Sequence, residues 1–316
     1  MNGFDMSDDS TYKYRAFGLV IDSDIELSEL EAVTGQATPD VTIVLAEWLS
    51  TLPDPGQPPI FDYCSSRGIE MIWPGVAAFL IADNSRIEVM PYPDIPRHFL
   101  AFPILGPVFG WLLECRGLLV LHASGVVVDG ACIAFLGDKM AGKSTTAAAF
   151  LRRGARLITD DLLAIELPDN KDAIVRPAFA QLKLADDAAT EIAVPGSQPL
   201  PLVFDGFPKR QHRLSEMEQR ATRLGRLFIL ERGAQLPGIK PMSPAQAMVA
   251  LMRFSYSVRF ASAPADPEKR ARHFQACAAI ARKGGVAILE VPARLEALDA
   301  VVDLVLQDLG RDLPHG

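Results

Sequence analysis

The chain has 316 residues, of which 49% are apolar, and a formal net charge of -8 at pH 7. This length suits one large domain or two modest ones, with enough apolar material for a core. The negative charge argues against non-specific binding of nucleic acid. The four cysteines are scattered without a C-x-x-C pair, which favours reduced, buried thiols over a zinc site or a disulfide framework.

The first third of the chain contains no segment that predicts secretion or membrane insertion. Its polar, acidic start lacks the basic and apolar regions of a signal peptide. The longest apolar run, Phe99 to Leu113, contains Pro103 and Pro107 and is shorter than the ~18–20 residues that span a bilayer. We interpret it as a buried helical segment and expect a cytoplasmic protein without a membrane partner.

Residues 1–95 are expected to form a β-rich N-terminal domain. Short apolar runs alternate there with turn-forming Pro, Gly, Asp and Asn, and no cluster of acids, bases or nucleophiles stands out. The predicted strands are Tyr14–Ile21, Val41–Leu45, Gly68–Trp73, Ala77–Ile81 and Ile87–Met90. One or two helices are then predicted from Pro96 to Arg116, at the start of a second domain over residues 96–316.

Strand and helix patterns alternate along this second domain, and Asp129-Gly130 predicts a hairpin turn. The predicted strands are Leu118–Leu121, Gly125–Val128, Ala131–Leu136, Arg156–Thr159, Leu162–Leu167, Lys171–Val175, Gln181–Leu184, Leu227–Leu230 and Val286–Glu290. Helices are predicted over residues 143–153, 243–253, 266–283 and 295–309, two of them opened by Ser-Pro or Asp-Pro.

The most informative motif is a phosphate-binding loop. Residues 137–144 match the Walker A pattern G-x-x-x-x-G-K-S, between an apolar strand and a helix. In that context the loop N–H groups point at phosphate oxygens, Lys143 reaches the β- and γ-phosphates, and the Ser144 hydroxyl can ligate Mg²⁺. The residues expected to bind nucleotide are Gly137, Asp138, Lys139, Met140, Ala141, Gly142, Lys143, Ser144 and Thr145.

Two adjacent carboxylates, Asp160 and Asp161, follow a predicted strand shortly after the loop helix. Enzymes with this loop take a Mg²⁺ ligand from a neighbouring strand end, and successive residues of an extended chain point to opposite sides. We assign Asp161, with Ser144, to the metal, and Asp160 to accepting the proton of an incoming hydroxyl. The two roles are interchangeable at the level of sequence, and the alternative for the pair is a solvated acidic turn.

Phosphoryl transfer needs cations beyond the loop lysine, and basic residues outnumber acidic ones between residues 207 and 226. Lys209 and Arg210 follow a loop and are candidates for binding substrate or the γ-phosphate. Lys183, which should point away from its apolar strand neighbours, is a further candidate. A solvated basic helix face is the preferred interpretation of Arg220, Arg223 and Arg226.

The run from Leu121 to Ala164 resembles the C-terminal catalytic domain of the HPr kinase/phosphorylase family. The shared pattern is a histidine with small residues, a hairpin, the phosphate loop, and a helix leading into R-R-G-A-R-L-I-T-D-D. The resemblance implies an α/β fold, with a P-loop kinase domain similar to phosphoenolpyruvate carboxykinase. It also implies an active-site role for a histidine that would otherwise be interpreted as a core residue; the implied site residues are His122, Lys143, Ser144, Asp160 and Asp161.

Beyond Ala164 the chain departs from typical members, because the Gly- and Ile-rich signature downstream of the Asp pair is missing. The chain there is similar to a divergent branch encoded in lasso peptide gene clusters, some members of which phosphorylate the C-terminal serine of a precursor peptide. This resemblance implies ATP and Mg²⁺ as cofactors and a peptide or protein serine as the acceptor, with no nucleic-acid partner. It leaves homo-oligomerisation open.

The expected function is therefore an ATP- and Mg²⁺-dependent serine kinase acting on a ribosomal peptide precursor, in which His122 orients or polarises the reacting groups. Two alternatives belong to other classes. One is a regulatory enzyme that phosphorylates HPr and reverses the reaction with phosphate. The other is a non-catalytic nucleotide sensor, which would bind ATP without turning it over.

Overall fold

The computed structural model describes residues 11–169, 171–200, 209–256 and 267–310, without the side chains at positions 63 and 64. The chain divides into two compact units, residues 1–116 and 117–316. The helical segment after residue 95 thus falls in the first unit, whereas the sequence placed it at the start of the second domain.

The first unit contains one eight-stranded sheet in the order β3-β1-β2-β4-β8-β7-β6-β5. The pairings β2–β4 and β4–β8 are parallel, and the others are antiparallel. The strands are β1 (Tyr12–Ala16), β2 (Leu19–Ser23), β3 (Glu31–Ala32), β4 (Val41–Leu45), β5 (Ile60–Ser65), β6 (Gly68–Trp73), β7 (Ala77–Asp83) and β8 (Arg86–Pro91).

Four of the five predicted strands of this unit are confirmed. The fifth is wrong, because it spans two strands and the turn between them. The run Tyr14–Ile21 is not one strand but a hairpin of β1 and β2. The turn residues Phe17 and Gly18 have φ of 54° and 74°, and two successive positive φ values match the tight turns that join antiparallel strands. β5 was not predicted at all.

The predicted helical segment is confirmed as α1 (His98–Pro103) and α2 (Phe109–Cys115), joined by an irregular turn over Ile104–Val108. The kink lies at Gly106, whose φ and ψ are both -108°. By length and composition the run His98–Cys115 could cross a membrane, but 67% of it is buried within the protein. A buried core helix has these properties too, so the run is weak evidence for a membrane span.

The second unit is mixed α/β, and its main sheet has seven strands in the order β10-β9-β11-β12-β16-β18-β17. A separate three-stranded sheet has the order β13-β15-β14. The strands are β9 (Leu119–Val128), β10 (Ala131–Leu136), β11 (Arg156–Glu166), β12 (Ile174–Val175), β13 (Gln181–Leu184), β14 (Ser197–Pro199), β15 (Arg210–Leu214), β16 (Thr222–Ala234), β17 (Gly238–Pro241) and β18 (Val286–Pro292).

Five helices accompany these strands in the described part of the unit. They are α3 (Lys143–Arg152), α4 (Asp186–Ile192), α5 (Pro244–Arg253), α6 (Pro267–Arg282) and α7 (Leu298–Leu309), the last preceded by a short 3₁₀ turn, Leu295–Ala297. The predicted Ser-Pro start of α5 is confirmed, because Ser243 Oγ accepts from Gln246 N and Gln246 Oε1 accepts from Ser243 N. The predicted start of α6 at Asp266 lies outside the described residues.

Strand β10 stands first in the order of the seven-stranded sheet, but it has a second neighbour in β16, and this explains how the phosphate loop is held. It pairs antiparallel with β9 and parallel with β16, and both of its faces are buried. Ile133 and Phe135 lie in the core under α3 and α7, whereas Cys132, Ala134 and Leu136 lie in the core under α5 and α6. Such two-sided burial accounts for the uninterrupted apolar run in the sequence.

Cys132 and Cys277 are buried thiols, as the scattered cysteines predict, and Cys115 is partly buried; none of the three is in a disulfide. Burial raises the pKa of the Cys132 thiol far above its ordinary value, so this group stays protonated and unreactive.

The basic stretch before residue 227 is not the helix face that the sequence favours. Thr222–Ala234 is one long strand, β16, so Arg223 and Arg226 lie on a strand, and Arg220 lies in the turn before it. The strand prediction covered only Leu227–Leu230, because the apolar pattern ends where the arginines begin. Pairing with β10 and β12 extends the strand through them.

Candidate active site

The phosphate loop joins the end of β10 to the start of α3, as its motif predicts. Gly137 and Gly142 adopt φ of 156° and 90°, values that favour glycine. A Cβ on Gly137 would lie 2.9 Å from the Ala141 Cβ. Met140 also has a positive φ, 67°, although it lacks the conformational freedom of glycine. Its side chain is 79% exposed. The two glycines are therefore required by the backbone of the turn.

Lys143 begins α3 and is almost completely buried. Its Nζ donates to the carbonyl oxygens of Gly137 and Asp138, at 2.9 and 3.1 Å. The ammonium group thus lies within the curve of the loop, next to the carbonyl groups of the first two loop residues. A cation held there by carbonyl dipoles is positioned for the phosphate oxygens that such loops bind.

Asp160 is buried, at 7% exposure, and one of its oxygens meets two hydroxyl groups. Ser144 Oγ donates to Asp160 Oδ1 at 2.9 Å, and Ser124 Oγ donates to the same oxygen at 2.5 Å. The second oxygen, Oδ2, accepts from the Lys183 backbone N–H at 2.8 Å. The carboxylate is therefore fixed, next to the hydroxyl of the phosphate-loop motif.

The residues around Ser144 fit a Mg²⁺ ion that arrives with nucleotide. Hydroxyl and carboxylate oxygens are ligands that Mg²⁺ accepts, and Ser144 Oγ and Asp160 Oδ1 lie together, 2.9 Å apart. The described residues contain no group of three His, Cys, Asp or Glu side chains that could hold a metal.

Asp161 faces a different set of groups. His122 Nδ1 lies 2.8 Å from Asp161 Oδ1, and Lys183 Nζ lies 3.1 Å from Asp161 Oδ2. The residue has φ of 89°, an uncommon conformation for a residue other than glycine, although aspartate tolerates it better than most. Regular strand alternation would turn Asp161 to the face of Ala123, the residue opposite it on β9. With φ of 89° its carboxylate instead meets His122 and Lys183, whereas Asp160 meets the hydroxyl of Ser144.

The register of the sheet brings these residues together. β9 and β11 are antiparallel, with Ser124 opposite Asp160 and Ala123 opposite Asp161. His122 and Ser124 are two residues apart on β9, so they share one face of the strand. Ser124 was not predicted as a site residue, although its spacing from His122 is a signal that could have identified it.

Lys183 extends from the three-stranded sheet to the aspartate pair. Its neighbours Leu182 and Leu184 are buried in the core, and strand alternation turns the lysine to the opposite face, as the sequence predicts. Its backbone N–H binds Asp160, and its ammonium group pairs with Asp161. One residue therefore holds both carboxylates.

The structure does not bring Arg210 to this cluster. It lies opposite Leu184 on β15, on the other face of the small sheet from Lys183. Its Nε lies 3.7 Å from Asp186 Oδ1 on α4. Lys209, directly before this strand, is partly buried, and among the described residues no contact between Lys209 and the aspartates is observed. Much of the preceding loop, residues 201–208, lies outside the described residues.

Two arginines that the sequence did not single out contact the phosphate loop. Arg232, near the end of β16, donates from Nη2 to Ala293 O at 2.8 Å, and its Nη1 would lie 3.1 Å from a Cβ on Gly142. Arg253, which ends α5, donates from Nη2 to both carboxylate oxygens of Asp138 at 2.8 Å. Because they come from distant parts of the chain, no local motif predicts them.

The segment after α5 supports the histidine. His122 N donates to Phe254 O at 2.9 Å, and Tyr256 N donates to Val120 O at 2.9 Å. The rings of His122 and Tyr256 lie 6.2 Å apart. Arg253 and its neighbours thus connect the phosphate loop to the strand that carries His122.

Comparison with protein-family models and with curated proteins gave no match. Among solved structures, one match is to the Hpr(Ser) kinase/phosphatase from Coxiella burnetii, with 12% sequence identity and a TM-score of 0.29, over 60% of this chain and 97% of that one. Similarity at this level does not establish a common family or activity.

Proposed function

We propose that the chain is an ATP- and Mg²⁺-dependent phosphotransferase that moves the γ-phosphoryl group to a serine hydroxyl of a peptide or protein. The observation that carries the proposal is the cluster in which Ser144 of the phosphate loop contacts Asp160, while the adjacent Asp161 contacts His122. A loop that only held nucleotide would not need a second carboxylate with a histidine partner beside it.

The contacts support the exchanged assignment of the two aspartates. Asp160 shares hydrogen bonds with Ser144 and Ser124, which suits a metal ligand with fixed oxygens. When bound, Mg²⁺ would neutralise charge on the phosphate oxygens. In this proposal Ser144 and Asp160 hold the ion, and Asp161 is the general base.

Asp161 is suited to accepting a proton. It is partly exposed, with 21% of its side chain accessible, so an acceptor hydroxyl can reach it. His122 and Lys183 contact one oxygen each, which fixes the position of the carboxylate. The proton of the acceptor serine hydroxyl passes to the Asp161 carboxylate as the serine oxygen attacks the γ-phosphorus. The bond between the γ-phosphorus and the departing ADP oxygen then breaks.

Two cations are positioned to stabilise charge that develops during transfer. Lys143 lies within the loop, and Arg232 lies beside Gly142 at the loop's other end. Arg253 pairs with Asp138, so the loop's own carboxylate does not face the phosphates as an unopposed negative charge.

The acceptor in this proposal is a serine within a ribosomal precursor peptide. The support is the resemblance of the sequence to kinases encoded with such peptides. Asp161 is partly accessible and pairs with Lys183 of the small sheet, so an acceptor that reaches Asp161 would lie next to this sheet.

The test is transfer from ATP to candidate peptides, with HPr and free serine as comparison acceptors, followed by mass spectrometry. We expect a phosphorylated peptide serine with the wild-type chain and none with Lys143→Ala. Lys283→Ala, which removes an exposed lysine at the end of α6, is the matched control and should behave as wild type. Tight ATP binding without transfer to any acceptor would instead establish a nucleotide sensor.

A further inference from the structure

A basic cleft lies at the end of the main sheet that is opposite the phosphate loop. Its volume is about 470 Å³, and its lining includes Gly130, Arg156, Glu218, Arg220, Thr222 and Arg223. This size lies within the range of small-molecule sites. The proposed phosphoryl transfer makes no use of these residues.

The register of the strands separates the cleft from the phosphate loop. Gly130 precedes the first residue of β10, whereas the loop follows its last residue. Six residues of strand span roughly 20 Å at about 3.3 Å each. Arg223 lies opposite Ala131 at the same end of the sheet, and Arg156 begins β11 there. A ligand of the cleft would therefore not contact the loop.

A buried glutamate organises the wall of the cleft. Glu218 is 5% exposed, and its Oε2 accepts from Arg156 Nη2 at 2.5 Å. Its Oε1 accepts from the Arg220 backbone N–H at 2.9 Å, and its own N–H donates to Leu157 O at 2.7 Å. Thr222 Oγ1 closes the turn by donating to Arg220 O at 2.9 Å. The turn is thus a fixed structure that holds the arginines in place.

The charge of the cleft is opposite to that of the chain. Three guanidinium groups, those of Arg156, Arg220 and Arg223, line it against one carboxylate, that of Glu218. The whole chain carries -8. Arg220 and Arg223 are exposed, and planar guanidinium groups bind phosphate and carboxylate through paired hydrogen bonds. A Cβ on Gly130 would meet no atom within 4 Å, so this side of the cleft is open.

We propose that this cleft is a second binding site, for a small molecule that carries two or more anionic groups. The site is distinct from the nucleotide site and independent of the reaction assigned to it. Arg220 and Arg223 contact the ligand, and Arg156, held by Glu218, contributes the third positive charge.

The experiment is isothermal titration with pyrophosphate and, separately, with citrate, on the Lys143→Ala chain, which lacks the loop's cation. We expect saturable binding of at least one probe, weakened tenfold or more when Arg220→Ala and Arg223→Ala are added. The probe that binds more tightly identifies phosphate or carboxylate as the preferred group. Binding should also weaken as salt rises, because both arginines are exposed.

The matched control is Arg270→Ala with Arg272→Ala, which removes the same charge from the exposed side of α6 and should leave the affinity unchanged. Circular dichroism and thermal unfolding of both double variants establish that they are folded. The proposal is overturned if neither probe binds, or if the two double variants lose affinity equally, since the effect would then come from net charge alone.

Discussion

The Ser144 hydroxyl lies 2.9 Å from Asp160, and the neighbouring Asp161 lies 2.8 Å from the His122 ring. Two carboxylates that are adjacent in the sequence therefore have different partners. Because Asp161 has φ of 89°, its carboxylate meets His122 on the face of β9 that also carries Ser124, a partner of Asp160. The functional roles proposed for the pair follow from this division, and each is testable by a substitution that keeps the size of the side chain.

Asp160→Asn should weaken the use of metal. Because the amide has one ligand oxygen and no charge, we expect transfer to fall at least tenfold at low Mg²⁺ and to recover partly with higher Mg²⁺ or with Mn²⁺. The measurement is initial rate against metal concentration. A loss that no metal concentration relieves would contradict the metal-ligand role.

Asp161→Asn should leave the binding of ATP and Mg²⁺ unchanged and slow the transfer step. Loss of a general base typically costs ~10²–10⁴ in rate. Asparagine tolerates positive φ about as well as aspartate, so the backbone at this position is preserved. Single-turnover kinetics with nucleotide titration separate the two effects. A variant with normal turnover would remove Asp161 from the mechanism.

Arg232→Ala should lower the rate of transfer more than the affinity for ATP. Its guanidinium lies beside Gly142, and removal of one group that stabilises transition-state charge costs on the order of 10²–10³ in rate. The control is Arg152→Ala, a partly exposed arginine on α3 whose partner is Asp299. If both variants turn over like wild type, Arg232 is a surface residue only.

His212→Leu should make thermal stability less sensitive to acid. His212 is 6% exposed, and neither ring nitrogen has a hydrogen-bond partner among the described residues. Burial, with a smaller contribution from Arg210, lowers the pKa of His212 below its ordinary value of 6.5. As pH falls below about 6.5, the unfolded chain binds a proton that the native histidine does not, so stability is lost.

The measurement for His212→Leu is the difference in Tm between pH 7.5 and pH 5.5, which should shrink. The Tm at pH 7.5 should not fall, because leucine can occupy the site without an unpaired polar group. His98→Leu, at an exposed histidine of α1, should retain the wild-type difference. An unchanged difference in His212→Leu would show that this histidine does not couple folding to pH.

The sequence was sufficient for the elements whose signals are local. The phosphate loop, β10 and α3 follow from one motif and its flanking apolar run, and strand alternation alone turns Lys183 away from its neighbours. The sequence was insufficient where pairing with distant strands overrides the local pattern. Arg223 and Arg226 lie on β16 because β10 and β12 pair with it, and no property of the basic stretch indicates those partners.

The same limit applies to the site. Asp160 and Asp161 were identified as a pair, but their individual partners depend on a positive φ that the sequence does not indicate. Ser124 is close in sequence and could have been identified from its spacing. Arg232 and Arg253 could not, because they reach the phosphate loop from strands and helices far along the chain.

The parallel pairing of β10 with β16 has a consequence for how the protein folds. Leu136, the last residue before the phosphate loop, is opposite Ile229, so this pairing joins residues far apart in the sequence and requires the closure of a long loop. The hairpin of β9 and β10 is local and forms first, whereas pairings distant in sequence are slow. Arg232 also lies on the late-arriving strand. Nucleotide affinity therefore develops only at the end of folding, and a fluorescent nucleotide should report refolding later than circular dichroism does.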